Sequence, residues 1–279
     1  MTKSISIGTA QFGIDYGITN KLGKVPEVLV KKILKKASLV GIKYLDTAQD
    51  YGDSEKVIGK CIPSNSKLKI ISKLSSLEKY QNKDNIIENL EKNFQKTLKN
   101  LGCKSINSFL VHQIKDLKEN NSLIVWDWLE SLKERKLIEN IGVSIYEEKD
   151  LDNIPLKKIN LIQVPISIYN QKIIESGYIK KLALSGKLVH ARSCFLQGLL
   201  LTKNTFWPNY ISKELRIHHM KTESIAKNLN ISMLDLNIAF IKQLSFLDSA
   251  IIGVTNLNEL NQFINSWDKK NINIDKKIF

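Results

Sequence analysis

The chain has 279 residues, 43% of them hydrophobic and 25% charged, with a formal net charge of +14. That composition is ordinary for a globular protein and is long enough for one large core. It excludes a membrane-spanning class, since no apolar run approaches the ~18 residues of a span. The opening MTKSISIGTAQFG has no apolar signal core, and Cys61, Cys103 and Cys194 have no metal-site spacing. The expectation is a cytoplasmic protein with reduced thiols and no membrane partner. Its lysines are spread over every candidate helix, so the charge reads as a solvated basic surface and not as a nucleic-acid stripe.

In chain order, short β-branched runs alternate with amphipathic stretches. Strands are predicted over 4–9, 42–46, 69–73, 105–111, 139–144, 160–165, 187–192 and 249–252. Nearly continuous apolar runs of this length suit strands buried on both faces of a parallel sheet. Between them, Val30, Ile33, Leu34 and Ala37 share one helical face, with Pro26 near its start and Gly41 as stop. Ile87, Leu90, Phe94, Leu98 and Leu101 form the next stripe, with Asp84 as expected N-cap and Gly102 as C-terminal stop. Leu123, Trp126, Leu129 and Leu132 form a third. Ile174, Tyr178, Ile179 and Leu182 form a fourth, ended by Gly186. Further helices are expected within 225–244 and over 257–267. Eight strands with helices between them predict a closed (β/α)8 TIM barrel. One catalytic domain is expected over 1–268, followed by a polar, loosely held tail over 269–279.

Catalytic groups of such barrels sit at the C-terminal strand ends. Asp46, Lys73 and His112 fall at the ends of the second, third and fourth strands, and Tyr51 lies in the loop after the second. Together they can make a proton-transfer site. Reducing a carbonyl with hydride generates an alkoxide that must be protonated as it forms. Tyrosine is a weak acid, and a lysine ammonium beside it is expected to lower its pKa. Asp46 can hold Lys73 charged and aimed, and His112 can orient the carbonyl. Each residue also has a plain structural role available to it: cap, turn, snorkelling lysine or buried-edge histidine.

The chain resembles the aldo/keto reductase superfamily over nearly its whole length. The resemblance is carried by Ile7-Gly-Thr-Ala10, Leu45-Asp-Thr-Ala48 with Tyr51-Gly52, Ile71-Ser-Lys73, Leu110-Val-His112 and Ile141-Gly-Val-Ser144. It continues in Gln163-Val164, Ala191-Arg-Ser193, Leu196-Gln-Gly-Leu199 and Ile252-Gly253. The opening GTAQFGIDYG looks like a bacterial branch associated with surface-sugar pathways. The resemblance implies a (β/α)8 barrel, NADPH or NADH as cofactor, and Asp46, Tyr51, Lys73 and His112 as catalytic tetrad. It also implies a cofactor site in which Gly8, Thr9 and Asp46 approach the nicotinamide ribose. Ser144 and Gln163 would hold the carboxamide, and Arg192 would stack on the ring. Ser193 with Leu196, Gln197 and Gly198 would face the pyrophosphate, and Gly253, Thr255 and Glu259 the adenosine end.

Two departures from the family pattern matter. Ile145 follows Ser144 where the family often has asparagine. Thr255 and Glu259 stand where an arginine would grip a 2′-phosphate, which leaves NADH and NADPH both open. Phe12, Tyr16, Trp207 and Tyr210 fall in loops that could cover the rim. The neighbours His218 and His219 do not read as metal ligands. The expected substrate is a small carbonyl compound or sugar, handled by a monomer or small homo-oligomer. The rival readings are a nucleotide-binding barrel with little turnover and, further off, a nucleic-acid binder.

Overall fold

A computed structural model describes residues 4–77, 85–117, 122–152, 154–270 and 272–274. Eight parallel strands close in chain order: β1 (Ser4–Gly8), β2 (Tyr44–Asp46), β3 (Lys69–Leu74), β4 (Ile106–Val111), β5 (Ile138–Ser144), β6 (Leu161–Pro165), β7 (Leu188–Arg192) and β8 (Ser249–Gly253). The seam is β1 against β8, with Gly8 opposite Gly253. The fold is therefore the (β/α)8 barrel that the alternating pattern predicts.

Helices α1 (Ala10–Gly13), α2 (Glu27–Leu39), α3 (Ser54–Cys61), α4 (Ile86–Leu101) and α5 (Ser122–Glu134) lie between the first five strands. They are followed by α6 (Lys172–Glu175), α7 (Tyr178–Leu184), α8 (Lys213–Asn228), α9 (Met233–Lys242) and α10 (Leu257–Asp268). The α2 stripe Val30, Ile33, Leu34 and Ala37 is wholly buried. Elsewhere the stripes are narrower at their starts. Ile87 and Leu123 are exposed, because each lies in the first turn of its helix, rotated off the face that meets the barrel. The fourth stripe is split by Gly177, whose left-handed backbone separates α6 from α7. Asp84 lies outside the described residues. The described part of the tail is packed rather than loose: Lys269 Nζ donates to Asp235 and Ile274 is buried.

Alternation along the strands fixes what each side of the barrel wall carries. Leu45, Ile70, Phe109 and Ile162 join the large core under the helices. Their neighbours Tyr44, Ile71, Leu110 and Leu161 form a separate buried cluster, which fills the barrel interior. Two residues further along the same strands stand Asp46, Lys73, His112 and Gln163. One apolar layer thus carries a polar layer directly above it, at the C-terminal mouth.

Candidate active site

Asp46 is the hub of the polar layer. Its Oδ2 lies 2.6 Å from Lys73 Nζ, and its Oδ1 accepts from Gln163 Nε2 at 2.5 Å, across the barrel. Lys73 Nζ also donates to Thr47 O at 2.8 Å. Lys73 is only 1% exposed, and Asp46 4%. Burial pulls the Lys73 pKa below the ordinary lysine value, and the Asp46 carboxylate opposes that shift. A pair this deep keeps its charges only because each ion is the other's partner.

Tyr51 is held above the pair by its loop. The strap from β2 is fixed by Thr47 N to Ile71 O and Gln49 N to Lys73 O, and Tyr51 N donates to Ala48 O. On its other side the loop packs on α1. A Cβ at Gly13 would fall 1.8 Å from Tyr51 O, so only glycine allows this approach. The Lys73 ammonium lies 5.2 Å from the centre of the Tyr51 ring, and the His112 ring meets it edge-on at 5.7 Å. His112 Nδ1 is 3.9 Å from Asp50 Oδ2, a neighbour that strand spacing did not single out.

The Tyr51 hydroxyl departs from expectation in one respect. Its pKa is raised, first by burial and then by the charge of Asp46, although Arg192 pulls the other way. The expected lowering by Lys73 does not prevail, because the lysine charge is already compensated by a carboxylate at 2.6 Å. A tyrosine in this setting stays protonated at neutral pH and is equipped to donate.

Around the hub, the residues expected to hold a cofactor fall into two groups. Gly8 lies opposite Asp46 in the β1–β2 pairing, and Ser144 opposite Gln163 in the β5–β6 pairing. Gln163 is fully buried, and with its amide nitrogen on Asp46, its Oε1 has no partner among the described residues. Arg192 gives Nη2 to Ile145 O at 3.0 Å and lies 4.3 Å from the Tyr146 ring, while its buried Nε is left without a partner among the described residues. Unmet donor and acceptor capacity flanking the mouth suits a planar carboxamide-bearing ring. Ser193 touches Arg192 weakly, at 3.5 Å. Beyond it Leu196, Gln197 and Gly198 all take left-handed backbone angles.

Other expected contributors are already engaged. Thr9 is buried, its hydroxyl donating to Asp46 O at 3.0 Å and lying 2.9 Å from Ser54 Oγ, so it ties the Tyr51 loop to β2. Glu259 is not a free carboxylate: it accepts from Thr255 N, Thr255 Oγ1 and Asn256 Nδ2, closing the turn that starts α10. Gly253 ends β8 at the entry to that turn.

Of the aromatics expected in loops, Phe12 lies within α1 instead, and both it and Trp207 are buried anchors. Tyr16 and Tyr210 are exposed, and the Tyr16 pKa is raised by burial and by Tyr51, which places Tyr16 beside the proton site. Tyr146, exposed and set against Arg192, was not singled out from sequence. Its only signal is its place two residues past a site-bearing strand end. Among the described residues there is no group of three or more His, Cys, Asp or Glu able to hold a metal, and no helix long and apolar enough to cross a membrane.

The aldo/keto reductase family profile matches residues 4–277. Comparison with curated protein sequences returns no match. Among solved structures, an aldo-keto reductase from Bacillus halodurans in its holo form superposes with a TM-score of 0.74 at 16% identity, covering 97% of this chain and 88% of that one. The glycerol dehydrogenase of Gluconobacter oxydans superposes with a TM-score of 0.73 at 18% identity, covering 98% and 88%. At such identities the structural likeness bears on the fold, and the family rests on the profile. A profile match along almost the entire barrel makes the chain a member of the aldo/keto reductase family, an NAD(P)H-dependent oxidoreductase that interconverts carbonyls and alcohols.

Proposed function

We propose that Tyr51 is the general acid and base of this oxidoreductase. The observation that carries the reading is the buried Asp46–Lys73 pair directly beneath Tyr51, with His112 edge-on beside it. A bound nicotinamide supplies or accepts the hydride. The chain's own part is to hold the carbonyl oxygen between the Tyr51 hydroxyl and His112, and to deliver the tyrosine proton as negative charge develops there. In the oxidative direction the Tyr51 phenolate receives the alcohol proton. Lys73 offsets the Asp46 charge that would otherwise oppose a phenolate on Tyr51, and Asp46 keeps the lysine aimed. Ser144, the free Gln163 Oε1 and Arg192 hold the cofactor's nicotinamide end. Residues 193–198 take its pyrophosphate, and Gly253, Thr255 and Glu259 face its adenosine.

Glu259 sets the cofactor. The carboxylate already satisfies Thr255 at the α10 N-terminus, so a 2′-phosphate arriving there meets like charge where it needs a cation. The enzyme therefore uses NADH at least as well as NADPH.

For the substrate, a sugar or sugar-derived aldehyde fits best. Exposed Tyr16 and Tyr146 flank the mouth and offer ring faces for stacking, while Asp50 beside His112 offers a hydroxyl acceptor. One structural neighbour is named for glycerol, another polyhydroxylated compound. Cytoplasmic carbohydrate metabolism is the setting this implies. A panel of aldehydes, ketoses and aldoses, followed by cofactor absorbance with NADH and with NADPH, tests all of it. Polyhydroxylated carbonyls should lead. Turnover of simple aromatic aldehydes with no activity on any sugar would overturn the substrate class.

A further inference from the structure

Arg192 closes β7 opposite Pro165, two residues past Gln163 on β6. Its guanidinium gives Nη2 to Ile145 O at 3.0 Å and Nη1 to Ser193 Oγ at 3.5 Å, and its buried Nε meets no acceptor among the described residues. None of these partners carries a charge. The carboxylates of the neighbourhood are engaged elsewhere: Asp46 by Lys73 at 2.6 Å, Asp50 by His112 at 3.9 Å, and Asp150 by the Tyr146 amide at 2.8 Å. A guanidinium stays charged throughout the working range of pH. Among the described residues, then, Arg192 brings a positive charge to the barrel mouth without an ion-pair partner.

That charge is also held in place. Ile145 is buried, and its carbonyl fixes one edge of the guanidinium. The Tyr146 ring packs on it, with Arg192 Cζ 4.3 Å from the ring centre, a cation–π contact. The charge is felt at the proton site. Burial is the main cause that raises the pKa of Tyr51 and of Tyr16, and in both the Arg192 charge pulls the other way. A nicotinamide ring is neutral when reduced and positively charged when oxidised. The two forms are nearly the same in size, so a flat guanidinium face fits both, and only charge tells them apart.

We infer that Arg192 discriminates between the two forms of the cofactor: its uncompensated charge makes the site bind the reduced nicotinamide more tightly than the oxidised one. The inference rests on the placement of the nicotinamide end against Arg192 proposed above. A fixed cation repels a cationic ring and has no such quarrel with a neutral one. Where both forms are present, the site therefore fills with the reduced form, which readies it for carbonyl reduction. The formal charge of +14 acts in the same direction at longer range, since the reduced dinucleotide is the more anionic by one charge. Salt screens that longer-range part, so the local effect is read from variants at this one position.

The test uses the full-length enzyme and reads binding, not turnover. Dissociation constants for NADH, NAD⁺ and ADP-ribose, which lacks the ring, are measured by calorimetry for wild type, Arg192→Lys and Arg192→Met at about 0.15 M salt. If the wild type binds NADPH more tightly than NADH, the phosphorylated pair replaces NADH and NAD⁺. We expect the wild type to bind the reduced form about tenfold more tightly than the oxidised one. Arg192→Lys should keep most of that ratio. Arg192→Met should bring it close to one, while ADP-ribose binds alike in all three proteins. Equal wild-type affinity for the two forms would overturn the inference, and that result does not depend on any variant folding. A ratio unchanged in Arg192→Met would overturn it too. Failure of the placement reads differently. ADP-ribose weakened in Arg192→Met as much as the dinucleotides would set Arg192 against the phosphates, and a wild type that binds no nucleotide would remove the cofactor site itself.

Discussion

Asp46, Lys73 and Gln163 stand on strands, buried to within a few per cent and joined by bonds of 2.5–2.6 Å. Residues 193–198 and 255–256 stand past the strand ends, the first with left-handed backbone, the second in a turn closed by the Glu259 carboxylate of α10. The first group is set by the barrel itself: strand register places its members in a polar layer directly above an apolar one. The second is set by contacts between segments far apart in sequence. The contrast is between side chains placed by strand register and segments placed by turn and loop contacts.

The largest effect should come from breaking the strand-held half. Lys73→Met leaves Asp46 buried and uncompensated, which costs about 3–5 kcal/mol of stability. It should also push the already raised Tyr51 pKa higher and cut turnover. Asp46→Asn, which keeps an acceptor for Lys73, should be milder, and the double variant should recover part of the lost stability. Chemical denaturation of the four proteins gives the coupling. Wild-type stability in Lys73→Met would mean the pair does not hold the strand ends.

A smaller effect is expected in the loop-held half. Glu259→Gln removes the charge while keeping an oxygen for Thr255, and should shift the NADPH-to-NADH ratio of kcat/KM toward NADPH by up to about tenfold. Glu259→Arg should shift it further, at the cost of a looser start to α10. The measurement is the ratio at one ionic strength. An unchanged ratio in both variants would place the phosphate-end determinant elsewhere.

The smallest effect serves as a reference for the buried pair. Glu91 on α4 takes both terminal nitrogens of Arg135, at 2.7 and 3.0 Å, near the surface. The Arg135 guanidinium is the main cause that lowers the Glu91 pKa to about 2. A depressed carboxylate pKa contributes stability that is present above its unfolded value, about 4.3, and is lost as pH falls through the folded one. Glu91→Gln should therefore cost about 1 kcal/mol or less at neutral pH. The difference from wild type should shrink between about pH 4 and about pH 2 in acid denaturation. A deficit that persists unchanged at the acid end would show that shape, not charge, holds this contact.

The sequence carried the strand-held half well. Each strand was a short apolar run, and a charged or polar residue closing such a run marked Asp46, Lys73 and His112 at once. It carried the rest poorly, for reasons that are physical. That Gln163 would turn its amide to Asp46 depends on a distance across the barrel. That Thr9 would be spent on Ser54, or Glu259 on Thr255, depends on turns with no periodicity. Nothing local in the sequence pointed to the partners of Arg216 and His219, since what they grip is backbone carbonyls, and any residue supplies those. The expected lowering of the Tyr51 pKa failed because sequence shows a lysine nearby but not how fully a carboxylate has already answered its charge.

The central claim is that Tyr51 moves the proton, and Tyr51→Phe tests it most directly, since it removes the hydroxyl and keeps the ring that packs against His112. Cofactor affinity and turnover should be measured on the same sample, with the best carbonyl from the substrate panel. The account predicts a fall in turnover of roughly 10²–10⁴-fold with nicotinamide cofactor binding as in wild type. Turnover near the wild-type rate, with cofactor still bound, would contradict it.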